Sequence, residues 1–163
     1  MNQAIFEKLK EPLSYDEIFE LAKRAVEQVL GMHRAGLCLV LGKIPNYIGA
    51  YHVLGSDTLV MNKTILDLVR TQARSNEDLN GYIFTILLHE YLHSLGITDE
   101  TRVRRLAYQV CIQTLGREHH ATKVATGKWE ELYPELKYLG PGRVGNDFEV
   151  IKDFDKSSTS YIT

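Results

Sequence analysis

Leu79-Asn-Gly-Tyr-Ile-Phe-Thr-Ile-Leu-Leu-His-Glu-Tyr-Leu-His-Ser-Leu95 is apolar on nearly every side. A helix with one apolar stripe lies on a surface, whereas a helix apolar all round is buried. The stretch is therefore read as a central helix with the remaining elements packed about it. Its polar interruptions carry chemistry. His89 and His93 stand four residues apart, on one face and about 6 Å apart along the axis, so both imidazoles reach a single metal ion. Glu90 projects about 100° round from His89, where a carboxylate can hold a water and take its proton. Burying two histidines and a glutamate costs several kcal/mol without compensation, and a metal ion provides it. A purely structural histidine pair is the competing reading.

Working outward, Ser75 and Asp78 form a capping box for this helix, and Gly96 ends it as a left-handed residue. Upstream, Ser14-Tyr15-Asp16-Glu17 is a second capping box. Ile18, Leu21, Ala22, Ala25, Val26, Val29 and Leu30 follow at helical spacing and Gly31 closes the run, which predicts a helix over 15–30. Leu37-Cys-Leu-Val-Leu41, Tyr47 to Leu54 and Thr58-Leu-Val-Met61 read as three strands, the last two joined as a hairpin through Gly55-Ser56-Asp57. Asn62 caps a helix reaching Arg74, and Thr98 or Asp99 opens another that runs to about Gly116. The fold class expected is α+β, a small antiparallel or mixed sheet of about three strands against about four helices. Residues 1–140 form a single domain, and 141–163, entered through Gly140-Pro-Gly142, form an extended strap with a partly disordered end.

Composition narrows the function classes. With 163 residues, 44% hydrophobic and 25% charged, the chain suits one soluble domain. A formal charge of -2 with interspersed signs offers no basic field for nucleic acid or an anionic membrane, so neither is an expected partner. The N-terminus has no signal-like apolar run, and a cytoplasmic location is expected. Cys38 and Cys111 are read as small buried hydrophobes.

A catalytic zinc ion usually takes three protein ligands and keeps a further position open. Reading on from the helix gives His89-Glu-x-x-His93-x-x-Gly96-x-x-Asp99. This resembles the extended motif of the metzincin clan of zinc metallopeptidases, in the version with Asp in the third position. The match covers about eleven residues. All three methionines, Met1, Met32 and Met61, precede it, so no Met-turn follows, and the closer likeness is to a minimal zincin. The resemblance implies Zn2+ held by His89, His93 and Asp99, with Glu90 as catalytic base. It further implies a peptide or protein substrate cleaved by metal-activated water. The gluzincin pattern offers Glu100 or Glu118 instead. A helix over 99–116 would be about 25 Å long, so Glu118, His119 and His120 fall far from the pair, and Asp99 and Glu100 are favoured. Both also suit a helix's first turn for structural reasons alone. An edge strand around 48–62 is expected to align an extended peptide. Tyr47, Tyr51, His52 and His119 are the candidates for stabilising charge on the substrate oxygen. A non-catalytic zinc-stapled protein and a zinc hydrolase of other bonds stand as alternatives.

Overall fold

A computed structural model describes residues 1–155. Seven α-helices and a four-stranded mixed sheet make up these residues, an α+β arrangement as the sequence predicts. The order is α1 (Gln3–Lys8), α2 (Tyr15–Leu30), β1 (Cys38–Gly42), β2 (Ala50–His52), β3 (Thr58–Asn62), α3 (Lys63–Gln72), α4 (Asn76–Ser94), α5 (Glu100–Leu115), α6 (His120–Ala125) and α7 (Trp129–Leu132). A 3-10 turn over Pro134–Tyr138 and β4 (Phe148–Ile151) follow.

Helix α4 is the axis of the molecule. From Asn80 to Leu88 every side chain is buried, as are Tyr91 and Leu92, which matches the all-round apolar pattern. Helices α2, α5 and α6 and strand β2 pack around it. Phe19 of α2 meets Tyr91 edge-on at 5.5 Å. The Tyr91 hydroxyl accepts from Arg34 N–H at 2.7 Å and so ties α4 to the segment entering β1. Helix α2 begins at its capping box and ends at Gly31 with φ 68°, where the sequence signals place its ends.

The sheet order is β2-β3-β1-β4. Strands β1 and β3 run parallel, while β2 pairs antiparallel with β3 and β4 antiparallel with β1. Leu39, Leu41, Leu59 and Met61 face the helices and are buried. The opposite face explains a correction: Cys38 lies one residue out of phase with Leu39 and is exposed, whereas Cys111 is buried and both thiols are free. Strand β2 is also shorter than the apolar run over 47–54. The Asn62 side-chain amide donates to the carbonyls of Ile48 at 3.0 Å and Ile44 at 3.3 Å, so the chain before Ala50 is held as a loop.

The strap contributes more than an extended cover. It supplies β4, and Phe154 stacks on Phe19 with ring centroids 4.3 Å apart. The end of the segment expected to be disordered lies outside the described residues. No helix among the described residues is long and apolar enough to cross a membrane.

Candidate metal centre

The turn from α4 into α5 builds the site. Leu95 caps α4, Gly96 takes φ 96°, a conformation costly for residues with a Cβ, and Asp99 then caps α5. This reversal folds the first turn of α5 back over the last turn of α4. Glu100 thereby reaches both histidines: His89 Nε2 lies 2.8 Å from Oε1 and His93 Nε2 2.9 Å from Oε2. One ligand atom from each residue falls within 4.8 Å of the others.

The donor chemistry fits a cation. His93 Nδ1 lies 2.8 Å from the Ile97 carbonyl oxygen, while its Nε2 faces the Glu100 carboxylate. With Nδ1–H donated to that carbonyl, the Nε2 lone pair is directed towards the carboxylate, and a cation held between them would satisfy both acceptors. A carbonyl holding the far nitrogen is also how metal-ligating histidines are commonly oriented. Nitrogen and carboxylate oxygen are ligands suited to zinc. Burial opposes charge on Glu100, but His89, the His93 hydrogen bond and Arg104 outweigh it and hold the carboxyl below its usual value. Arg104, one turn on, sits with Nε 3.3 Å from Glu100 Oε1. Burial lowers His89 from its ordinary value, against the pull of Glu100.

Glu90 is buried beside this triangle, 6% exposed. Burial pushes its carboxyl up to about 7, with His93 drawing it down and Glu100 pushing it up. A carboxyl poised there exchanges protons readily near neutrality. His89, Glu90 and Glu100 open onto a cleft of about 730 Å³, whose walls include Ala50 of β2, Ile86 of α4, Ala107 of α5, Val124 of α6, and Trp129.

Asp99, nominated by the sequence as third ligand, is placed differently from its neighbour. Its carboxylate accepts from Thr101 N–H at 3.0 Å as the cap of α5, and Glu100 is the acidic residue that joins the pair. His119 lies far off. It is buried, caps α6 through Nδ1 and approaches Glu77 at 3.8 Å. Glu77 precedes His89 on α4 by twelve residues, about 18 Å of helix. His120 binds the Tyr133 hydroxyl at 2.7 Å. Of the residues considered for the substrate oxygen, Tyr47 lines the cleft, while the His52 ring turns to the Ser56 carbonyl at 2.8 Å. Arg104, Lys128 and Trp129 also line the cleft and were not singled out in the sequence. Only Arg104 carried a local signal, four residues after Glu100 on one helix face.

No protein-family model, curated protein or solved structure matches this chain.

Proposed function

We propose that the protein is a zinc-dependent peptide hydrolase in which His89, His93 and Glu100 hold the metal and Glu90 is the general base. The reading is carried by the close triangle of three ligand atoms with buried Glu90 facing the same cleft. A histidine pair followed by a glutamate on the next helix resembles the gluzincin order, with an unusually short connection. Three protein ligands leave a position open, and zinc bound there supplies a Lewis acid and lowers the pKa of water towards neutrality.

The chain's own residues do the remaining work. Glu90 takes a proton from the attacking water and returns it to the leaving amine. Strand β2 is the sheet's free edge on that side and lines the cleft through Ala50, so an extended peptide can add to it by backbone hydrogen bonds. The low exposure of Glu90 favours a role in chemistry over one in surface charge, since buried carboxylates are rare without a partner or a task.

The test is to measure zinc content and cleavage of an unstructured protein for the parent chain and for Glu90→Gln. The parent is expected to bind one zinc and cleave; the variant should keep the zinc and lose at least about 100-fold in rate. Zinc bound by both with cleavage by neither would reject the hydrolase and leave a metal staple, which cobalt spectroscopy would reveal as a site closed by four protein ligands.

A further inference from the structure

Gly49 precedes β2, and a Cβ built on it would lie 2.5 Å from Cη2 and 2.8 Å from Cζ3 of Trp129. The indole ring rests against the backbone at the start of the edge strand, an approach that only glycine permits. The ring is itself fixed, donating Nε1–H to the Val124 carbonyl at 3.1 Å and meeting Tyr82 edge-on at 5.8 Å.

The register shows what this ring does to the strand beside it. Asn62 N–H donates to the Gly49 carbonyl and Val53 N–H to the Thr58 carbonyl. With Tyr51 opposite Val60, residues 49, 51 and 53 turn their backbone groups towards β3. In an antiparallel ladder the alternate residues turn theirs away, so Ala50 and His52 present N–H and C=O to the free edge. A peptide added there antiparallel, the more stable pairing per residue, runs opposite to β2, and its C-terminal end approaches Gly49. Trp129 stands at that end. Beside it Lys128 lines the same cleft, exposed and with no ion pair to any described residue. Glu130 and Glu131 line the cleft too, and Arg104 is engaged with Glu100, so Lys128 is the cation at this end available to a carboxylate.

We infer that the cleft receives the C-terminal end of a peptide, paired on Ala50 and His52, stopped by Trp129, with its terminal carboxylate on Lys128. The ligand class rests on the hydrolase reading. On that reading, water adds its hydroxyl to the acyl carbon and its proton to the departing amine, releasing a short C-terminal fragment.

Trp129 is the single tryptophan of the chain, so its emission reports occupancy of the cleft without turnover. The experiment titrates the full-length Glu90→Gln chain, with zinc, using an N-acetylated Ala/Val hexapeptide as its free acid and as its C-terminal amide. The acid is expected to bind about five-fold tighter than the amide, the size of one exposed ion pair. In Lys128→Met, an exposed substitution that leaves the core untouched, the ratio should fall to about one. Equal affinity for acid and amide, a preference that survives Lys128→Met, or no response to either peptide would overturn the inference. A Lys128-dependent preference for the acid, together with no cleavage by the zinc-loaded parent, would instead defeat the hydrolase reading and leave the C-terminal recognition standing.

Discussion

His93 and Glu100 face one another across the turn between α4 and α5, Nε2 to Oε2 at 2.9 Å. Asp99, one residue earlier, spends its carboxylate on the backbone of its own helix. The two acidic residues therefore separate cleanly under mutation. Glu100→Ala is expected to weaken zinc binding by at least about 100-fold, beyond the usual loss for a supporting residue. Asp99→Ala should cost about 1 kcal/mol of stability as a lost cap and leave zinc stoichiometry unchanged. Competition with a zinc-chelating dye gives the first number and urea unfolding the second. A reversed pattern would move the third ligand to Asp99.

That pair also shows where the sequence ceased to be legible. His89, Glu90 and His93 follow from spacing within one helix, and the ends of α2 follow from Ser14, Glu17 and Gly31. Choosing between Asp99 and Glu100 requires the phase and start of α5, because one step along a helix turns a side chain by about 100° and the cap residue, only half in the helix, has extended backbone. Strand β4 was out of reach for another reason. Its residues are mostly exposed, and it is a strand because β1 offers an edge to it, a non-local fact that propensity does not encode. Helix α1, six residues long and capped by the Asn2 side chain, and α6, capped by His119, are too short for periodicity to register.

Gly49→Ala tests the contact that shapes one end of the cleft. The added methyl would overlap the Trp129 ring, and since that ring is also bonded to Val124 and packed on Tyr82, it must give up one of these contacts. The expected result is a red-shifted emission as the indole becomes wetter, with a stability loss of about 1–2 kcal/mol typical of overpacking. Zinc affinity should stay within about two-fold, because the proposed ligands His89, His93 and Glu100 are not among the neighbours that a Cβ at Gly49 would meet. An unchanged emission spectrum would show that the ring does not rest on Gly49.

His119 is expected to make the cap of α6 sensitive to acid. Its Nδ1 accepts from Ala121 N–H at 3.0 Å, a role that requires the neutral ring. Burial holds its pKa below the ordinary value, with Glu77 and Asp78 opposing the shift and His120 and Lys10 adding to it. An unfolded histidine titrates near 6.5. Above that pH both states are neutral and the contribution to stability is complete. As pH falls from there towards the lower folded value, the unfolded chain binds the proton first and stability is lost. Glu90, whose carboxyl burial raises to about 7, works in the opposite sense over the same range, so the His119 contribution is read as the difference between parent and His119→Asn in urea unfolding with a chelator at about pH 7.5 and about pH 5.5. His119→Asn keeps a capping side chain and should lose less stability than the parent on going to the lower pH, while His89 and His120, both shifted down by burial, act alike in the two proteins. The same loss in parent and variant would exclude His119 as a source.

Lys23 and Asp155 are joined across almost the whole chain, Nζ to Oδ1 at 2.5 Å, with side chains 2% and 1% exposed. The other Asp155 oxygen accepts from Leu37 N–H at 3.0 Å, just before β1, so this carboxylate bonds both to α2 and to the start of the sheet. Removing one member of a buried pair leaves the other's charge poorly compensated, which typically costs about 3–5 kcal/mol, although Lys23 also approaches Glu20 at 3.6 Å. Asp155→Ala is expected to fall in that range, and Lys23→Met likewise. The double variant Lys23→Met/Asp155→Leu should recover a large part of the loss, because an apolar pair carries no desolvated charge. The Leu37 N–H would still lose its acceptor, so recovery would be incomplete. Since Phe19 of α2 also packs on Tyr91 beside Glu90, thermal melting should lower the transition for zinc release and for the core together. Full additivity of the two single substitutions would show that the charges are not coupled, leaving Phe154 on Phe19 and the Leu37 bond to Asp155 as the ties of the strap's end to the core.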